Sequence, residues 1–276
     1  MTAAGQALDE RAAAQEDGDD GRLGSGRSWE RLVWGVIGIV SVLVVWDLLT
    51  RTGLVSDVLI SSPGGVVRAA RIEYESGILW SEIWATASVW LTGLALAAAV
   101  GIVVGLVSGA SRIVGHVAEP WLRLLYSIPE LALIPILIVW LGLGYTFRVV
   151  IVFLSSVFYI AINALAGVRA VENKYFEVAA VYHASPISTF RTVIIPGAFP
   201  YILTGLRQGA SRALVGAVIA EFLAANNGIG FMITIAGSTL NTSRAMFGVA
   251  LLGALGIISG ELLRRIESRF DGWRVS

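Results

Sequence analysis

The chain contains no cysteine, and its only lysine, Lys174, stands against nineteen arginines. The first absence excludes disulfides, thiolate metal sites and cysteine nucleophiles. The second excludes a Walker A phosphate loop, which needs a Gly-rich turn ending in Lys followed by Ser or Thr. Lys174 lies between Asn173 and Tyr175. Any ATP the protein depends on must therefore be bound by another chain. The two histidines, His116 and His183, are too few and too far apart for a zinc site. Charge is scarce as well: 14% of the 276 residues are charged, 56% are hydrophobic, and the formal net charge is zero. A soluble domain is nearer a quarter charged. The deficit points to a lipid-embedded protein, and the zero net charge offers no field for nucleic acid.

Residues 1–28 are rich in Ala, Gly and Asp and carry almost no large apolar side chains. Such a segment cannot bury enough surface to offset its chain entropy, so it is expected to be a disordered tail. No apolar run follows a basic start there, so it does not read as a signal peptide. Residues 29–276 form the membrane domain.

A bilayer core about 30 Å thick needs about 20 apolar residues in a helix. Six segments qualify, at about 32–50, 83–109, 117–141, 147–168, 203–223 and 246–263. The third is expected to be interrupted at Pro129 and Pro135. In the second, Gly101, Gly105 and Gly109 recur at four-residue spacing, which lets helix backbones pack closely in lipid. With both termini in the cytoplasm, twelve basic residues flank the inside and five the outside, which satisfies the positive-inside rule.

That orientation puts the stretch EVAAVYHASPISTFRTVIIP, residues 177–196, on the cytoplasmic side between the fourth and fifth spans. Tyr175, Val178, Ala179 and Tyr182 share one helical face. Ser185 is placed to cap a second short helix that opens with Pro186. Pro196 is expected to end that run. The loop thus reads as two short helices with a turn near His183 and Ala184. Its apolar face either packs on the chain's own bundle or on the membrane surface, or docks in a partner's groove.

These residues resemble the EAA loop of the inner-membrane permeases of bacterial ABC importers. That motif runs E-A-A, three residues, G, nine residues, I or V, one residue, L-P. Glu177, Ala179, Val193 and Pro196 fall at the matching positions, Val178 replaces the second alanine, Ile195 the leucine and His183 the glycine. Glycine at that place suits a helix-ending turn with positive φ. The resemblance extends over roughly residues 58–274. SIPELALIPILIVWLGLG (127–144) and LTGLRQGASRALVGAVIAEFLAANNGIGFMI (203–233) are similar to the nitrate/sulfonate/taurine branch.

The resemblance implies an all-α integral membrane protein with the six-helix fold of type I ABC importer permeases and a cytoplasmic pair of coupling helices. It implies a bacterial inner-membrane location and no cofactor. Two permease copies would form the pathway, two ATPase subunits would receive the coupling helices, and an extracytoplasmic binding protein would deliver a small sulfonate, taurine, nitrate or other small organic acid. Glu177, Ala179, Ala180, His183, Ala184, Ser185 and Pro196 would lie at the ATPase contact.

Pathway candidates are the broken third segment, with Pro129, Glu130 and Pro135, and the intramembrane charges Arg212 and Glu221. Arg212 lies inside the fifth segment and serves either an anion or an internal pair. Glu221 is expected to bond to the outer loop, and Asp47 to reach water at a helix end. NNGIGFMI (226–233) lacks the third glycine and the preceding strand of a dinucleotide site, and reads as an external re-entrant turn. Glu130 stands where relatives often carry Pro, and Val89 where many carry Arg; a carboxylate facing the pathway would repel a plain anion. Two other classes remain: an autonomous six-helix carrier or channel, although only one segment is strongly broken, and an intramembrane enzyme, for which no Ser/His or paired-acid constellation lies in the spans.

Overall fold

A computed structural model describes residues 26–54, 56 and 58–268. The first 25 residues of the expected tail lie outside them. The described residues are helical and contain no strand. Contacts divide the chain into two units, residues 1–65 and 66–276. In the first, α1 (Gly26–Arg51) carries an apolar span whose side chains are largely exposed. Asp47 pairs with Arg51 one turn later, 2.7 Å away, at the helix end expected for it. α2 (Pro63–Glu75) starts with proline at its first position, and the Ser62 hydroxyl accepts from the Gly65 amide at 3.1 Å.

The second unit is built around α6 (Tyr145–Arg169), which packs along α3 (Leu79–Ala110) on one side and α9 (Ile195–Ala224) on the other. Both neighbours turn small residues toward it. On α3 these are Gly93, Ala97, Gly101, Gly105 and Gly109. A Cβ on Gly101 would come 2.9 Å from the Val157 carbonyl oxygen, and one on Gly109 2.5 Å from Val168 Cβ. On α9, a Cβ on Gly209 would meet Ile160 Cγ1 at 2.8 Å and one on Gly216 would meet Ser155 Oγ at 2.5 Å. Lipid supplies no hydrophobic drive between helices, so this backbone proximity and the dispersion contacts it permits hold the bundle.

The third span is a bent pair, α4 (Arg112–Ser127) and α5 (Glu130–Leu141), which meet at 93°. Ile128 is extended (ψ 122), as the residue before a proline must be. The break at Pro129 is therefore present, but the one expected at Pro135 is not, since α5 runs through it. Packing overrides the local preference there. Ile134 and Leu137 are buried against Phe147, Ile151, Ala220 and Ala224.

Pro196 also fails to end its helix. The short α8 (Pro186–Thr189) continues through a wide π turn, Phe190–Ile194, directly into α9, where Pro196 occupies the first turn. Ile195 donates to Phe190 five residues back, and Pro196 has no amide to place. Proline in a first turn forfeits no hydrogen bond. The fifth helix therefore begins at Ile195, eight residues before the expected start, and is bent by 47° from α10 (Ile229–Ser238). α11 (Thr242–Ser268) completes the described chain. Among the described residues, four helices are long and apolar enough to cross a membrane alone, and up to six spans result if each bent pair counts as one.

Overpacking a tight helix contact costs about 1–3 kcal/mol. Gly101→Ala should therefore lower the melting temperature in detergent by several degrees, whereas Gly253→Ala, with nothing within 4 Å, should leave it unchanged. Equal melting temperatures would remove the close approach as the source of stability.

Candidate coupling loop and intramembrane site

α7 (Asn173–Val181) follows α6 after a short turn. It ends in a Schellman turn: the Ala184 amide donates to the Ala179 carbonyl at 2.9 Å, and the His183 amide to the Ala180 carbonyl at 3.0 Å. His183 has φ 50, the conformation that usually calls for glycine. Ser185 then accepts from the Ser188 amide at 3.2 Å and caps α8. Ala179, Ala180, His183, Ala184 and Ser185 thus belong to one reversal of the chain. Pro196 lies beyond the π turn, at the base of α9.

No residue of α7 is fully buried. Val178, Val181, Tyr182 and Ile187 are exposed, with Tyr182 at 81% and Val181 at 75%, and Glu177 is exposed too. Of the alternatives for this face, the chain's own bundle does not cover it. The loop is rooted instead through Phe176 and Phe190, which pack on Leu106, Val168, Ile194 and Ala198. No local pattern singles out these two phenylalanines in the chain. A second anchor is ionic: Glu119 of α4 bonds Arg169 at the end of α6 at 2.6 Å and Arg123 at 2.7 Å. At the start of α7, the Glu172 carboxylate, 2.7 Å away, holds the Lys174 ammonium above its ordinary pKa.

The pathway candidates separate into two groups. Glu130 begins α5, and Arg212 lies near the middle of α9, deeper than expected because that helix starts earlier. Both flank Tyr159: the Arg212 guanidinium carbon is 5.1 Å from the ring centroid, and Glu130 shares a small hollow with Tyr159. Tyr159 meets Tyr126 edge-on, with centroids 5.0 Å apart. A larger hollow of about 360 Å³ opens beside the pair, lined also by Glu119, Arg123, Asn163 and Gln208. Asn163 donates to Gln208 at 3.3 Å. Tyr126, Tyr159, Asn163 and Gln208 were not singled out from the sequence, although polar side chains within apolar runs were the available signal. Pro129 marks the bend beside Glu130, and Pro135 is exposed further along α5.

Glu221 stands apart from that group. It is 1% exposed, and its Oε2 accepts from Thr86 at 3.0 Å and from the Gly230 amide at 2.8 Å. Glu82 accepts from the Gly228 amide, and Arg148 donates to Asn227 Oδ1 at 3.1 Å. These side chains tie the α9–α10 turn to α3 and α6, the bonding role expected for Glu221. Val89 is fully buried with Val149, Val152, Ala213 and Ala217. Among the described residues, no group of three or more His, Cys, Asp or Glu could hold a metal ion.

The Schellman turn generates a test on the isolated chain. His183→Gly should slow amide exchange at Ala184, since glycine adopts the turn without strain. His183→Val should speed it, since a β-branched side chain resists positive φ. Equal exchange in both variants would contradict the geometry.

Residues 97–271 match the family described as binding-protein-dependent transport system inner membrane component. The chain is 33% identical over 243 residues to the taurine transport system permease protein TauC of Escherichia coli (strain K12), covering 86% of this chain and 88% of that one. It is 28% identical over 235 residues to the putative aliphatic sulfonates transport permease protein SsuC of Bacillus subtilis (strain 168), covering 85% of each. A chain of the MetNI methionine ABC transporter in an inward-facing conformation superposes with a TM-score of 0.64 at 17% identity, over 72% of this chain and 98% of that one, a likeness of fold. Family membership excludes the autonomous-carrier and intramembrane-enzyme alternatives: the chain belongs to the binding-protein-dependent inner-membrane permeases, and is a multi-pass membrane component of an ABC importer that works with a separate ATPase and a substrate-binding protein.

Proposed function

We propose that two copies of this chain form the pathway of an ATP-driven importer for a small sulfonate such as taurine, with nitrate and other small organic acids as further candidates. The α7–α8 reversal contacts the ATPase. The observation that carries the coupling role is an exposed, apolar helix pair, joined by a Schellman turn and the Ser185 cap and anchored by Phe176 and Phe190 in the bundle core. A capped but uncovered apolar face is the form a helix takes when it docks in a groove. Glu177, exposed on the same helix, is placed to meet a basic group of the ATPase. The relatives' names support the sulfonate assignment.

Coupling by contact follows from the chain's construction. ATP binding closes the ATPase pair and displaces α7 and α8. The π turn joins α8 to α9 without a break, so the displacement reaches the membrane interior along one helix. We further infer that both termini and the α7–α8 loop face the cytoplasm, while the α9–α10 turn faces the side from which substrate is delivered.

Affinity purification of the tagged chain from its host should recover an ABC ATPase, and Glu177→Arg combined with Tyr182→Asp should lose it while the permease remains folded. Retention of the ATPase by that double variant would contradict the docking role. Topology can be read without background labelling because the chain has no cysteine. A cysteine placed at Ser188 should react with an impermeant maleimide only in inside-out vesicles, and one at Thr239 only in right-side-out cells. The reverse pattern would invert the orientation.

A further inference from the structure

Among the described residues, six carboxylates meet a cation, four of them as follows. Asp47 pairs with Arg51, Glu73 with Arg244, Glu119 with Arg169 and Glu261 with Arg264. Glu130 and Arg212 stand apart: both lie in membrane-spanning helices, and among the described residues neither makes an ion pair or a side-chain hydrogen bond, whereas Glu82, Glu221 and Arg148 bond at the α9–α10 turn. Arg212 faces the Tyr159 ring, and Glu130 lies within electrostatic range of the same tyrosine. An unpaired charge in a span is costly and calls for a partner supplied from outside. Two unpaired charges of opposite sign, set about one aromatic side chain, call for a partner that carries both signs.

The surroundings suit such a partner. Gln208 lies one helical turn before Arg212 on α9 and lines the larger hollow, so the amide and the guanidinium share one face of that helix beside it. Tyr126 and Tyr159 line both hollows, and Glu130 lines the smaller one. Their ring faces and the Glu130 carboxylate offer an ammonium group the two contacts it favours, π density and negative charge. A plain anion satisfies Arg212 and is repelled by Glu130. A plain cation meets the opposite mismatch.

We propose that the Tyr126–Tyr159 pair, with Arg212 and Glu130, is a substrate site carried by the permease itself, and that it takes a small zwitterion: a sulfonate or carboxylate group on Arg212 and Gln208, an ammonium group on Glu130 and the tyrosine rings. This rests on the proposed reading of the chain as a pathway for small sulfonates and narrows that class to amino-substituted members. No bond is made or broken, and the site selects while the ATPase supplies the energy.

The test uses the complete importer, with its ATPase and binding protein, in proteoliposomes. ATP-driven uptake is measured with equal concentrations of taurine and of ethanesulfonate, which lacks the ammonium group. The binding protein is the same throughout, so a change in the uptake ratio belongs to the permease. Glu130→Gln should lower the taurine-to-ethanesulfonate ratio about tenfold, the loss of one hydrogen bond to a charged group. Glu130→Asp, which keeps the charge, should retain most of the preference. Arg212→Gln should lower uptake of both. Assembly and basal ATP hydrolysis of each variant report that it has folded.

An unchanged ratio in assembled Glu130→Gln overturns the proposal, as does a wild type that moves ethanesulfonate but not taurine. Restoration of uptake by the charge-exchanged double variant, Glu130→Arg with Arg212→Glu, at an unchanged ratio, also overturns it and assigns the two charges to an ion pair between copies. If the wild type moves neither compound, the sulfonate reading falls and takes this site with it. An importer that moves both with no discrimination at Glu130 leaves that reading standing and removes only the site.

Discussion

Close backbone approach of α3 and α9 to α6 is the contact on which the other features depend. Apolar side chains gain nothing from meeting one another in lipid that they would not gain from lipid itself. What distinguishes these helices is that their facing positions are glycine or alanine at four-residue spacing, so main chains come within reach of side-chain atoms that a Cβ would displace. The stripe on α3 was visible as Gly101, Gly105 and Gly109. Its counterpart on α9, through Gly205, Gly209, Ala213 and Gly216, doubles it, and α6 is held between the two.

The α7–α8 reversal and its join to α9 form the part of the molecule with the plainest link from sequence to mechanism. The spacing from Ala179 to Ala184 is a helix, a Schellman turn and the cap of the next helix, each with its own hydrogen bond. His183 at φ 50 takes the place of a glycine and keeps the turn. Beyond the cap, the π turn carries the chain into a helix of 30 residues, about 45 Å long at 1.5 Å per residue. A displacement at α8 thus has a continuous element to travel along, through the small-residue contact with α6, to the level of Arg212 and Tyr159.

Local signals in the sequence were legible where local geometry decides them. Ser185 as a cap, Pro186 at a first helical position, the extended residue before Pro129 and the positive-φ turn at His183 all follow from chemistry within a few residues. Pro135 and Pro196 were misread for the same reason, since a local rule predicts a break where something else intervenes. At Pro135 that is the burial of Ile134 and Leu137, and at Pro196 the change to π spacing just before it. The roots of the loop, Phe176 and Phe190, and the tyrosine pair at the intramembrane site depend on residues tens of positions away. Nothing beside the two phenylalanines marks them, and the tyrosines are marked only as polar side chains within apolar runs. Glu130 and Arg212 were visible as intramembrane charges, but only the fold brings them to a common tyrosine.

On the proposed coupling role, the α7–α8 reversal transmits force because Phe176 and Phe190 lock it into the core. The most direct measurement is the ratio of solute imported to ATP hydrolysed by the reconstituted importer carrying Phe176→Ala and Phe190→Ala, with recovery of the ATPase checked in the same preparation. The account predicts an assembled complex that hydrolyses ATP but imports far less solute per ATP. An assembled complex with an unchanged ratio would show that force reaches the pathway by another route and would contradict it.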